Sequence, residues 1–187
     1  MAKNSPTRYD RVWKLGQQTA RRCSKNFARE IEKAKTGITS QFITQSLKCL
    51  PNFIGCFAEN QLSSLVITQY PTFLVVNVDS YQMKGSHWLA IGIFETSIEI
   101  FDPLGFTIFN WTRVPCEMLG FLHRMSVTRK VKVSQRIQPS HSHLCGFYCI
   151  FYLVLRSHSS FRTIQSFFTH FDSKLSRNDT LLYKFFK

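Results

Sequence analysis

Acidic residues are scarce in this chain: 11 Asp/Glu stand against 24 Lys/Arg in 187 residues, a formal net charge of +13. The deficit points away from cationic partners and toward polyanions, which such a surface holds through phosphate contacts and counterion release. No window reaches the ~18 consecutive apolar residues of a transmembrane helix, so no membrane partner is expected. The N-terminus is polar and basic with no apolar h-region, so a secretory signal is not expected either. Without that signal, the six cysteines (Cys23, Cys49, Cys56, Cys116, Cys145 and Cys149) are read as reduced thiols. The expected location is intracellular, with nucleus, virion or host cell all suitable and secretion excluded. Internal repeats and low-complexity segments are absent, and the chain is expected to act as a monomer.

The remaining composition is that of a folded globule. Hydrophobic residues make up 44%, and 18 are phenylalanine, which implies an aromatic-rich core in one domain. The charge is uneven. Residues 1–36 hold ten Lys/Arg and three Asp/Glu, or +7, and are set apart as a basic N-terminal arm, partly helical or disordered. Within it, Val12, Leu15, Thr19, Cys23, Phe27 and Ile31 recur at helical spacing over 10–34, interrupted by Gly16. Residues 37–187 form the single domain. A second basic concentration, Arg124, Arg129, Lys130, Lys132 and Arg136, has no acid between its members and is a candidate nucleic-acid contact.

Along the domain, a short helix is expected around 40–49, then a loop with apolar anchors over 50–57. Residues 72–79 (TFLVVNVD) predict a buried strand. A turn at Lys84-Gly85 precedes a second strand over 87–94, and Glu95-Thr96 turns the chain into a third over 97–101. A helix around 113–125 follows. The alternation in VTRKVKVSQRI predicts a half-exposed strand over 127–137, then a polar loop, then a buried helix headed by Cys145. A last helix is expected around Phe161, Ile164, Phe167 and Phe168. This order is an α+β arrangement.

The 95–96 turn carries a geometric consequence. As a two-residue hairpin loop it sets Phe94 opposite Ser97 and Leu89 opposite Asp102, so Asp102 and His87 share a face within side-chain reach. A carboxylate beside an imidazole fixes its tautomer and favours its charged form. Cys145 stands where the polar loop meets the apolar helix, and a thiol at a helix N-terminus gains thiolate character. Gly146 allows close approach of a substrate backbone, and Gln138, seven residues before Cys145, offers an amide to an oxyanion. The same stretch admits a zinc reading, since His141, His143, Cys145 and Cys149 are all ligand types. The absence of a C-x2-C pair weighs against it, and no metal is expected.

With His87-Trp88, Asp102-Pro103-Leu104-Gly105, Gln138 and Cys145-Gly146-Phe147-Tyr148-Cys149 in this order, the chain resembles the adenovirus-type cysteine proteases. Within these it looks most similar to versions carried by Polinton or Maverick transposons and related viruses. The wider superfamily includes proteases of ubiquitin-like modifiers. The resemblance covers roughly residues 40–175. It implies a papain-like fold of the adenain type, a central antiparallel or mixed sheet against a buried helix with the nucleophilic cysteine at its N-terminus. It also implies the roles: Cys145 nucleophile, His87 general base and acid, Asp102 its orienter, Gln138 and the Cys145 amide the oxyanion hole, and Trp88 and Gly146 the substrate cleft. The implied reaction is endopeptidase cleavage of viral or transposon precursor polypeptides after a small residue, glycine foremost. No cofactor is required on this reading, and DNA is a possible activator. Adenovirus proteases join an activating peptide through a cysteine; at the equivalent place this chain has Val127, so that linkage is not expected. Two other readings stand beside it: an isopeptidase for ubiquitin-like modifiers on the same fold, and a basic nucleic-acid-binding protein, with or without zinc, that lacks catalysis.

Overall fold

The structure, a computed structural model, describes residues 8–24, 26–33, 37–105, 114–158, 168 and 171–187. Its centre is a five-stranded sheet in the order β1-β2-β3-β4-β5: β1 (Phe53–Ala58), β2 (Thr72–Asn77), β3 (Trp88–Ile93), β4 (Ser97–Phe101) and β5 (Lys130–Val133). The three central strands form an antiparallel meander, and each edge strand pairs parallel to its neighbour. The helices are α1 (Arg8–Cys23), α2 (Phe27–Lys33), α3 (Ser40–Leu47), α4 (Cys116–Ser126), α5 (Cys145–Arg156) and α6 (Asn178–Phe186). Among the described residues, no helix is long and apolar enough to cross a membrane.

Both faces of the sheet are covered, which explains why β2 and β4 are buried at every position. Alternate residues serve opposite cores. Phe73, Val75, Ala90 and Phe101 join α5 and the terminal helices in an aromatic-rich core. Leu74, Val76, Leu89, Ile91, Ile98 and Ile100 face the other way, toward Met118, Phe121 and Leu122 of α4. Helix α5 is buried along eleven consecutive residues from Cys145 to Leu155, as expected of its apolar run. The stacked pair Phe101–Tyr152, at 4.5 Å between centroids, seals it to β4.

Several expectations need correction. The helical pattern over 10–34 is two helices, with a break at Ser24–Asn26 where the Ser24 hydroxyl accepts the Asn26 N–H. Gly16, the irregularity in that pattern, is where α1 touches α5 and α6: a Cβ there would run into Leu155 and lie 3.1 Å from Phe185. The described helices of the arm set apart at 1–36 pack onto the domain. Val12, Ala20, Phe27 and Ile31 are buried in the same core as α5. The expected loop over 50–57 contains β1, an edge strand whose register slips between Phe53 and Gly55. The strand expected over 127–137 shortens to Lys130–Val133, because its partner β4 is only five residues long. Cys23 and Cys49, read as free thiols, are joined in a disulfide with Cα atoms 5.5 Å apart, which ties the end of α1 to the residues after α3. The helix expected around Phe161, Ile164, Phe167 and Phe168 falls almost wholly outside the described residues.

Candidate active site

The β3–β4 register is the one a two-residue turn demands: Ala90 faces Phe101, Gly92 faces Glu99, and the Phe94 N–H donates to the Ser97 carbonyl at 2.8 Å. The same count sets Leu89 opposite Asp102 and brings His87 within reach. His87 Nε2 lies 2.7 Å from Asp102 Oδ1. The chain enters β3 through Gly85, at φ +84°, a conformation that side-chain-bearing residues avoid. A Cβ there would also lie 2.7 Å from the Asn77 amide nitrogen, so the turn that aims His87 needs glycine.

Asp102 is fully buried. Its Oδ1 also accepts the Leu104 N–H at 2.9 Å. Its main chain is held by Ser134, whose hydroxyl accepts the Asp102 N–H at 2.8 Å and donates to the Asp102 carbonyl at 2.6 Å. Ser134 escaped the reading of the sequence, since its contact exists only once β5 lies beside β4. The next residue, Pro103, offers one carbonyl to two donors, the N–H groups of Ile137 and Gln138, at 3.0 and 2.9 Å. The Asp102 turn therefore also places Gln138. That side chain is buried, donates through Nε2 to the Ser142 carbonyl at 2.7 Å, and keeps a buried Oε1 without a partner.

Cys145 begins α5, and its side chain is near enough to His87 to favour the charged imidazole. With Nε2 committed to Asp102, Nδ1 is the ring nitrogen left for sulfur. Burial pushes the His87 pKa down, but the bonds and charges of Asp102 and Cys145 outweigh it and raise it to about 9. The imidazolium is thus favoured beside the sulfur, which stands at the N-terminus of α5. The first N–H groups of a helix have no intrahelical acceptor, so the Cys145 amide is free to serve a ligand. Cys149, one turn on, is fully buried and its thiol pKa is driven well up by that burial, so it stays neutral. Burial likewise pushes Cys56 up to about 12.

His87, Cys145, Gln138 and Trp88 all line one cleft of about 820 Å³. Two of its lining residues, Ile38 and Trp88, pack against Gly146. A Cβ on Gly146 would meet the Ile38 side chain at 2.6 Å and the Trp88 ring at 3.2 Å. The Trp88 indole N–H donates to the Ile38 carbonyl at 3.0 Å, joining the two walls. Ile38, the second wall, was not among the residues expected from sequence. His141, His143, Cys145 and Cys149 do not converge: no metal-sized group of three or more His, Cys, Asp or Glu exists among the described residues.

The basic set is divided. Arg124 donates to the carbonyls of Leu62 and Ser63, and Arg129 to that of Phe94 while lying over the Tyr70 ring. Lys132 approaches Glu99 at 3.8 Å, and Arg136 donates to the Gln138 carbonyl at 3.2 Å. These four have partners within the fold; Arg124, Lys130 and Arg136 are exposed.

Comparison with known proteins bears on the same stretch. The chain is 30% identical over 120 residues to the protease of bovine adenovirus C serotype 10, covering 59% of this chain and 61% of that protein. It is 28% identical over 120 residues to the protease of human adenovirus B serotype 3, with 59% and 57% covered. A longer match, 25% over 166 residues, is to the protease of bovine adenovirus 7, with 78% and 82% covered. The chain thus spans about three fifths of the first two relatives. Residues 53–170 match the adenovirus endoprotease family, a span that includes His87, Asp102, Gln138 and Cys145, and the chain belongs to that family.

Proposed function

We propose that the protein is a cysteine endopeptidase that cleaves polypeptides by acyl transfer through Cys145. The observation that carries this reading is the His87–Asp102 pair at 2.7 Å, opening on the same cleft as Cys145. The Cys145 thiolate attacks the scissile carbonyl, and the oxygen takes the negative charge. Gln138 Nε2 and the Cys145 N–H donate to that oxygen. The C–N bond then breaks, and the leaving amine departs with the proton of His87. A water, deprotonated by His87, attacks the resulting thioester and returns the thiolate and the imidazolium.

The residue ahead of the scissile bond is glycine or similarly small on this reading, supported by the cleft-lining Ile38 and Trp88 side chains that pack closely against Gly146, next to Cys145. Viral or transposon precursor polypeptides are the proposed substrates. DNA is retained as an activator, held by exposed cations such as Arg11 and Lys14 of α1 and Lys130 rather than by the internally bonded arginines.

The test combines two readouts. Iodoacetamide near neutral pH should alkylate Cys145 faster than the other free thiols, and His87→Ala should remove that preference. Cys145→Ala should abolish cleavage of fluorogenic Gly-containing peptides while circular dichroism stays unchanged. Cleavage that survives Cys145→Ala removes the nucleophile assignment. Turnover of modifier–fluorophore conjugates but not of short peptides would instead favour the isopeptidase.

A further inference from the structure

The loop between β5 and α5 bears Gln138 and leads into the Cys145 amide at the head of α5, the two proposed oxyanion donors, yet has no regular structure of its own. Its anchor comes from the far end of the chain. Asn178 and Asp179 open α6, beyond the stretch that matches the family. Asn178 is buried, and its amide donates to the Ile137 carbonyl at 2.8 Å, next to Gln138. Asp179 Oδ1 accepts two hydroxyls, Ser142 at 3.1 Å and Tyr148, in the first turn of α5, at 2.8 Å. Ser142 is the junction of the loop. Its hydroxyl also accepts the Leu144 N–H at 3.3 Å, and its carbonyl accepts Gln138 Nε2 at 2.7 Å.

We propose that Asp179 is a positioning residue for the oxyanion donors, acting through Ser142. The inference rests on the protease reading above. A glutamine amide presents either a donor or an acceptor, and only the donor end stabilises an oxyanion. The Ser142 carbonyl can only accept, so it draws the NH2 end toward itself. One N–H is spent on that bond, and the second remains for the cleft, which both residues line. The selection works only while Ser142 is held in place. Asp179 is the side chain that holds it, since the other bonds of Ser142 lie within the loop itself. Without Asp179, Ser142 can turn away, and the Gln138 amide is free to offer its oxygen to developing negative charge.

A carboxylate in the first turn of a helix also stabilises that helix by itself, so the test must separate positioning from stability. The full chain is compared as wild type, Asp179→Ala, Asp179→Asn, Ser142→Ala and the Ser142→Ala/Asp179→Ala double variant. Peptide cleavage gives kcat and KM, and iodoacetamide gives the alkylation rate of Cys145, a step that needs no oxyanion hole. Asp179→Ala is expected to lower kcat by roughly 10- to 100-fold, less than outright loss of an oxyanion donor. KM and the alkylation rate should stay within about twofold. Asp179→Asn should recover most of kcat, because its Oδ1 accepts the same hydroxyls. Ser142→Ala should match Asp179→Ala, and the double variant should be no worse than either, as for residues on one path. An unchanged kcat in Asp179→Ala and Ser142→Ala overturns the proposal. So does a parallel fall of kcat, alkylation rate and melting temperature, which would make Asp179 a structural residue only. A wild type with neither turnover nor preferential alkylation of Cys145 refutes the protease reading itself, a result distinct from the other two.

Discussion

His87 gathers opposing influences at one side chain. Burial disfavours its charge, whereas Asp102 and Cys145 favour it more strongly. Its pKa stands at about 9 against an ordinary 6.5, so the folded state binds this proton more tightly than the unfolded chain does. The stability this adds is present in full below pH about 6.5 and is lost as pH rises through about 9. Thermal melts of wild type and His87→Gln over that range should therefore converge toward alkaline pH. In Asp102→Asn, which keeps an acceptor but no charge, the pH dependence should flatten. A wild-type advantage that grows above pH 7 would contradict the assignment. At this scale the sequence was informative where local rules fix geometry: the Glu95-Thr96 turn set the register that joins residues 87 and 102. Ser134, Ile38 and Asp179 were not legible. Each is an ordinary residue whose role depends on a neighbour 32, 50 or 37 positions away.

Strand β4 joins a polar cluster to the elements behind the site. Its Glu99 is fully buried and accepts the Tyr152 hydroxyl at 2.9 Å and Arg156 Nε at 2.7 Å from α5, with Lys132 of β5 nearby. The Arg156 guanidinium also lies over the Phe94 ring at 4.1 Å. Removing one partner of such a pair leaves the other buried and uncompensated. Glu99→Ala is thus expected to cost about 3–5 kcal/mol, measured by denaturant unfolding, while Glu99→Gln costs less. A loss under about 1 kcal/mol, typical of exposed pairs, would mean Arg156 finds another partner. Element type was legible where patterns were long: the buried run after Cys145 and the β-branched run of β2. It was lost at the sheet edges. Pro51 and Gly55 look like loop residues, and the bulge at Gly55, φ +135°, is how β1 accommodates the latter. Alternation in VTRKVKVSQRI outran the strand because pairing ends with β4, leaving Val127 exposed.

At the scale of the molecule, the N-terminal helices belong to the core. Phe27 packs at 4.7 Å from Phe186, and Trp13 lies edge-on to Phe151 and Phe185. Composition suggested an arm because the exposed side of α1 carries Arg11, Lys14, Arg21 and Arg22, while among its described side chains only Val12, Gly16, Thr19 and Ala20 are buried. Deleting residues 1–36 uncovers α5 and α6. Truncating single core side chains costs about 2–5 kcal/mol, so the fragment 37–187 should melt at least about 10 °C lower or fail to stay soluble. A fragment with the melting temperature of the full chain would show the helices to be dispensable.

The carbonyl of Pro103 has a wider implication. The carboxylate that steadies His87 and the backbone of Gln138 hang from adjacent peptides of one turn. In the proposed mechanism, proton handling and charge reception therefore share a single ruler. An insertion or deletion between Asp102 and Gly105 would misplace both together, so this turn has a fixed length that the loops around it need not keep.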